Sequence, residues 1–275
     1  MNDVNALSFG VVADAYESGR PGYPGEAVTW ALGAEPLDVL EIGAGTGKLT
    51  RTLLDQGHRV LATDPSPEML GVLRAQLDPQ ALLARAERLP VSSHSVDAVV
   101  CGQSFHWFDA EVALAEIARI LRPEGRLVLL WNFRDLRVPW IRKLSDLIGV
   151  EAREGLIDPV AACESFTDLE SHQVKSWQTH TAQTLADLTR SRSAAASLSH
   201  GDREALVARV VELYDSYGRG PDGLQMPYTT HVFRALVKHD VVTEAVPVTA
   251  AAEPPQGKTK ALPPEEPGTV LIDFK

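Results

Sequence analysis

Leu37-Asp38-Val39-Leu40-Glu41-Ile42-Gly43-Ala44-Gly45-Thr46-Gly47, followed at once by Lys48-Leu49-Thr50-Arg51-Thr52-Leu53-Leu54, decides the reading of this chain. A short apolar run that ends in three alternate glycines and continues with leucines at helical spacing reads as strand, tight turn and helix. Glycine has no Cβ and tolerates a positive φ, so such a turn lets backbone amides come close to a ligand at a helix N-terminus. The next apolar run, Arg59-Val60-Leu61-Ala62-Thr63, ends in Asp64. A carboxylate at that strand tip, roughly twenty residues after the glycines, can hold both hydroxyls of a ribose.

Outward from this unit the same alternation continues. Ser66 is placed to cap a helix carrying Met69, Leu70, Leu73 and Leu77. Leu82 to Arg85, Val96 to Cys101, and Arg126 to Trp131 after the turn Pro123-Glu124-Gly125 read as strands, with a helix over Glu111 to Leu121. His172 to Thr181 and Tyr228 to Val237 add two more strands, making seven. Strands alternating with helices predict a doubly wound, mainly parallel, Rossmann-like α/β sheet.

Ahead of the first strand, Phe9, Ala13 and Tyr16 come at helical spacing, Arg20-Pro21-Gly22-Tyr23-Pro24 interrupts, and Glu26 to Leu32 resumes. Helical insertions over about 132–170 and 183–217, including Trp140 to Val150, Leu185 to Ser197 and Asp202 to Tyr217, are expected to shape a substrate pocket. One domain over residues 1–240 follows, with residues 241–275 as a Pro/Ala-rich flexible tail. Within that tail, Val270-Leu271-Ile272-Asp273-Phe274 is apolar enough to dock as an edge strand on this chain or a partner.

The bulk numbers exclude several functions. The 275 residues carry a net charge of −11, which opposes binding to a phosphate backbone, so no nucleic-acid partner is expected. The richest basic stretches, Arg119 to Arg126 and Arg134 to Lys143, read as solvated helix and loop faces. Two cysteines, Cys101 and Cys163, give neither a disulfide framework nor a zinc site, and no metal is expected. No leader-like N-terminus and no bilayer-length apolar run is present, so a cytoplasmic protein without a membrane partner is expected. A homo-oligomer stays open.

The cofactor is narrowed by small departures. The dinucleotide fingerprint G-x-G-x-x-G would need glycine where Lys48 stands. Glu41 instead makes the form E-x-G-x-G-x-G. Further segments are Asp64-Pro65-Ser66-Pro67-Glu68-Met69-Leu70, Ala84-Arg85-Ala86-Glu87-Arg88-Leu89-Pro90, Gln103-Ser104-Phe105-His106-Trp107-Phe108-Asp109 and Ile120-Leu121-Arg122-Pro123-Glu124-Gly125. From about Phe9 to Val237 the chain resembles the class I S-adenosylmethionine-dependent methyltransferases, nearest to the group that includes trans-aconitate methyltransferase-like enzymes.

The resemblance implies S-adenosylmethionine as cofactor, bound by the turn residues Glu41, Gly43, Ala44, Gly45 and Gly47. Asp64 would hold the ribose, Pro65 and Met69 would flank the adenine, and Ala86 with Glu87 would meet its edge. Gln103 would face the methionine part, with Tyr16 and Arg20 closing over the cofactor; ordinary helix packing is the competing reading of Tyr16. By analogy with the same relatives, a small organic molecule is methylated on oxygen, at a carboxylate or a hydroxyl.

Methyl transfer asks mainly for positioning, because the sulfonium is already activated. Aromatic faces help by attracting the cation and excluding water. Phe105, Trp107, Phe108 and Trp131 lie at or just past strand ends, with Phe105, Trp107 and Trp131 as substrate-binding candidates. His106 is the candidate catalytic base, although a structural hydrogen bond is an equal reading of it and a carboxylate acceptor needs no base. The segment after the fourth strand is not the Asn-Pro-Pro-Tyr type that grips a flipped base, and no G-x-S-x-G elbow occurs. A protein that keeps the cofactor pocket without transferring methyl is the alternative that fold alone leaves open.

Overall fold

The computed structural model describes residues 13–238 apart from residue 152 and residues 218–221. Phe9, the tail 241–275 and the segment Val270 to Phe274 lie outside the described residues.

β1 (Asp38–Ile42) is buried along its whole length, as the near-continuous apolar runs of parallel strands require when helices cover both faces. β2 (Arg59–Asp64), β3 (Gln80–Leu83), β4 (Val96–Gly102) and β5 (Leu121–Arg134) complete the parallel part. β6 (Glu170–His180) and β7 (Leu224–Leu236) form an antiparallel pair, with β7 also antiparallel to β5. The sheet order is β3-β2-β1-β4-β5-β7-β6, seven strands and mainly parallel as the alternation predicts.

Helices α1 (Ala13–Gly19), α2 (Gly25–Leu32), α3 (Lys48–Asp55), α4 (Pro67–Gln76) and α5 (Ala110–Ile120) accompany this half. Ser66 caps α4 by accepting from the Met69 amide, and Asp109 caps α5 by accepting from Val112. One apolar cluster joins Leu40, Leu61, Val99 and Leu129 to Leu114 and Ile117 of α5. A second joins Val39, Val100 and Leu130 to Ala27 and Val28 of α2. Each face of the sheet thus has its own core.

The remaining helices are α6 (Pro139–Ile148), α7 (Asp158–Ala161), α8 (Ala182–Arg190), α9 (Ser193–Ala196) and α10 (His200–Ser216). Trp140, Leu144, Leu185, Leu188 and Val210 pack with Met226 and Tyr228 as a third cluster, which seats α6, α8 and α10 against β7. These helices form a cap. No helix among the described residues is long and apolar enough to cross a membrane.

Three boundaries differ from the sequence reading. β3 starts and ends two residues earlier than Leu82 to Arg85. β5 starts before the Pro123-Glu124-Gly125 turn, which becomes an irregularity inside the strand: Glu124 sits at φ +62°, and regular pairing resumes at Arg126. The helix read over Leu185 to Ser197 is two, broken after Arg190. The Ser191 carbonyl and hydroxyl both accept from the Arg20 guanidinium, so a tertiary contact takes the groups that would continue the helix.

Candidate active site

The C-terminal tips of β1, β2, β4 and β5 open onto a cavity of about 360 Å³. That is within the roughly 300–1,000 Å³ typical of small-molecule sites, and strand C-termini are where such sheets bind ligands.

The glycine turn forms one wall. Gly43 stands at φ +72°, and a Cβ there would lie 2.4 Å from the Ser104 Cβ. The tips of β1 and β4 can therefore touch, and the Ser104 hydroxyl donates to the Ile42 carbonyl at 2.7 Å. Gly45, at φ +57°, has open space where its Cβ would be. Its amide donates to Asp64 Oδ2 at 2.9 Å while the Ser66 amide donates to Oδ1 at 2.8 Å. Each oxygen of Asp64 keeps a further lone pair, and the carboxylate borders the cavity. Burial pushes this carboxyl above the usual range, against the pull of the Ser66 and Gly45 amides. A carboxylate fixed from both sides, with accepting capacity left over, fits a pair of vicinal hydroxyls.

The glycine turn and the first residue of α3 also hold α1. Glu17 of α1 accepts from the Thr46 hydroxyl at 2.7 Å and pairs with Lys48 at 3.1 Å. From the other side Ser18 donates to Asp187 of α8 at 2.8 Å, and Arg20 donates to Ser191. A Cβ on Gly19 would lie 2.3 Å from the Leu188 nitrogen, so α1 and α8 pack backbone to backbone. α1 thereby links the cofactor-type turn to the cap.

Of the residues expected at the site, Tyr16, Arg20, Gly43, Gly45, Asp64, Pro65, Met69, Gln103, His106, Trp107 and Trp131 border the cavity. Gln103 takes a left-handed backbone, φ +56°, a conformation that in a non-glycine residue stores strain and is common at functional sites. Phe108 borders the cavity as well.

Others are not brought there. Phe105 is corrected from substrate candidate to core: it is 2% exposed, packs in the cluster around α5, and meets Phe108 edge to face. Helical geometry over Phe105–Trp107 turns it inward while its neighbours face the opening. Glu41 is buried behind the turn, accepting from the Thr50 hydroxyl, and burial pushes its carboxyl up to about 8. Ala44 and Gly47 belong to the turn without bordering the cavity: Ala44 donates to Thr63, and Gly47 begins α3 against Leu73. Glu87 is turned to the Asp109 amide at 2.9 Å, and Ala86 is buried in the core.

His106 reaches the cavity surface and is open to water there, with protein around its remaining sides. Burial and the Arg20 guanidinium push its imidazole down to about 4, so it is neutral at ordinary pH. Its ring lies 4.8 Å from that of Trp107.

The far wall comes from residues the sequence reading did not select: Val150, Glu151, Leu156, Arg192 and Ser193, with Gly102 and Ser104 at the β4 tip. Arg134, read from sequence as part of a solvated basic face, is 1% exposed. It forks onto Glu151, Nε to Oε2 at 3.2 Å and Nη2 to Oε1 at 2.9 Å, and Arg192 adds Nη1 to Oε1 at 2.5 Å. Burial alone would raise the Glu151 carboxyl, but the two guanidinium groups outweigh it and hold it below the usual range. Burial pushes Arg192 down to about 10, still charged at neutral pH. Nothing in the spacing of residues 134, 151 and 192 signals this cluster.

Comparison with known proteins agrees with this architecture. A family model described as a methyltransferase domain matches residues 40–129. Over 234 residues the chain is 46% identical to an uncharacterised methyltransferase of Mycobacterium tuberculosis, covering 84% of this chain and 96% of that protein. Over 229 residues it is 34% identical to an uncharacterised methyltransferase of Schizosaccharomyces pombe, covering 79% and 90% respectively. Among solved structures, the proposed type II methyltransferase of Anaeromyxobacter dehalogenans superposes with a TM-score of 0.59 at 21% identity, covering 78% of this chain and 97% of that one, a likeness of fold.

Proposed function

We propose that this chain, which belongs to the class I S-adenosylmethionine-dependent methyltransferases, transfers a methyl group to an oxygen of a small organic acceptor. The cofactor supplies an activated methyl on a sulfonium. The chain's own contribution is then to bind, align and keep water out.

The observation that carries the reading is the Asp64 carboxylate, held by the Gly45 and Ser66 amides at the mouth of a cavity walled by Tyr16, Trp107, Phe108 and Trp131. Asp64 would take the ribose hydroxyls, with Pro65 and Met69 beside the adenine and Gln103 toward the methionine part. Aromatic faces attract a sulfonium without offering it a nucleophile. The neutral His106 imidazole is the group available to accept the proton of a hydroxyl acceptor, and its low pKa makes it a weak base suited to an acidic hydroxyl. The acidic chain and the small, partly aromatic cavity favour a small molecule over a nucleic acid.

The test is incubation with methyl-labelled cofactor and pools of small acids, phenols and amines. Label in an acid or phenol, with S-adenosylhomocysteine formed in equal amount, is the expected result. Label appearing in amines alone would overturn the oxygen assignment. Tight cofactor binding with no turnover on any pool would replace transfer by a binding role.

A further inference from the structure

Around Glu151 the charges do not balance. Arg20, Arg134 and Arg192 face one another and Tyr228 closely enough to perturb the same groups, and Glu151 is the one carboxylate among them in the described residues. That leaves a surplus of two positive charges at one end of the cavity. Asp64 lies at the cofactor end and is committed to two backbone amides. Two acids on the neighbouring helices are engaged elsewhere: Glu17 with Lys48 and Thr46, and Asp187 with Arg190 and Ser18.

The same place collects donors without acceptors. Arg192 Nε, Arg134 Nη1, the Tyr228 hydroxyl and Trp131 Nε1 are all buried and make no hydrogen bond within the described residues. Arg134 and Tyr228 are paired across β5 and β7, at 1% and 4% exposure. Buried donors of this kind are nearly always satisfied in folded proteins, and charged ones cost most when they are not. Arg134 and Tyr228 lie behind the cavity wall, so the groups a ligand can meet are Arg192 and Arg20 on that wall, and the positive surplus there calls for an oxygen anion. The cofactor leaves the surplus standing: its carboxylate can meet one guanidinium, but its sulfonium and ammonium bring two positive charges into the same cavity.

From this we infer that the acceptor is an organic acid whose carboxylate docks on Arg192 and Arg20 at the Glu151 end of the cavity and is not itself methylated. The inference rests on reading the cavity as a methyl-transfer site. A carboxylate gripped by guanidinium groups has its lone pairs engaged in charge-assisted hydrogen bonds, which lowers its nucleophilicity while fixing the molecule. The methyl therefore goes to a hydroxyl oxygen of the same acceptor: the O–H proton passes to the neutral His106 imidazole and from there to water, the O–CH3 bond forms, and the S–CH3 bond breaks with its electron pair staying on sulfur. Arg134 is a positioning residue, forked onto Glu151 so that Glu151 in turn holds Arg192 in place.

Benzoate and benzamide differ in charge and little in shape, and they are the probes. Calorimetry on the full chain saturated with S-adenosylhomocysteine is expected to show benzoate binding at least about tenfold more tightly than benzamide. Arg192→Gln should bring the two within about twofold while S-adenosylhomocysteine affinity stays within about threefold, and Arg192→Lys should restore part of the preference. Equal affinities for the two probes, or no measurable benzoate binding, overturn the inference on the wild-type protein alone. A parallel loss of S-adenosylhomocysteine binding in Arg192→Gln also overturns it, since the cluster would then serve the cofactor. So would a base-labile methyl ester among labelled products. Probe binding is read without turnover, so failure of methyl transfer on the substrate pools is a separate result.

Discussion

The two walls of the cavity are built in opposite ways. The wall from Gly43 to Met69, proposed to hold the cofactor, is made of backbone: amides of Gly45 and Ser66 fix Asp64, and glycines let strand tips approach. The opposite wall is made of long charged side chains from β5, the segment after α6, and the break between α8 and α9, tied together by Glu151. Backbone walls read a feature common to every turnover. Side-chain walls can change without disturbing the sheet, which fits the acceptor role proposed for this one.

Substitutions on each side should therefore fail differently. The largest effect is expected from Glu151→Ala, which strands the buried Arg134 guanidinium without its partner; breaking a buried pair in this way costs about 3–5 kcal/mol of stability. Thermal unfolding measures it, and a variant as stable as the wild type would show that Arg134 has another counter-charge. Asp64→Ala should do the converse. S-adenosylhomocysteine affinity falls by about 3 kcal/mol, roughly a hundredfold, from lost charge-assisted hydrogen bonds, with the melting temperature nearly unmoved. Unchanged affinity by calorimetry would remove Asp64 from the cofactor site.

His106→Ala sharpens the comparison between binding and chemistry. Turnover on a hydroxyl acceptor should drop about a hundredfold, at the lower end for general base catalysis, with cofactor affinity retained. An unaltered rate at saturating acceptor would leave His106 a structural residue.

The smallest effect concerns pH. Burial, with Arg134, pushes His180 at the end of β6 down to about 4, so the unfolded chain binds more protons than the folded one between pH 4 and 6.5. Stability supplied there is complete above pH 6.5 and is lost as pH falls, by up to about 1.4 kcal/mol per pH unit. Glu41, raised to about 8, gives the opposite slope: the folded chain binds more protons, and stability is lost as pH rises from 4.5 to 8. The two oppose each other between 4.5 and 6.5. His106, also held down to about 4, adds the same slope as His180, so His180→Gln should leave stability nearly level from pH 4.5 to 6.5 and falling from 6.5 to 8; a chemical-denaturation series that stays flat from 6.5 to 8 would contradict the Glu41 shift.

The contrast also explains what was readable in advance. Asp64 and Ser66 were legible because strand, turn and cap obey local rules over a few residues. Boundaries moved where a neighbour intervened: Arg20 breaks the helix at Ser191, and pairing with β4 draws β5 back past Gly125. Phe105 was misplaced because a tip residue can face core or opening, and one turn of helix decides which.

The sequence by itself determined the sheet, the glycine turn, and the carboxylate that follows it, since apolar periodicity and glycine conformation act between near neighbours. Only the tertiary structure decided that Arg134, Glu151 and Arg192 meet at one end of a cavity, with Arg20 and Tyr228 beside them. Charges separated by tens of residues have no period to betray them. Their meeting, and the positive surplus it leaves, exist only once the cap has folded over the strand tips.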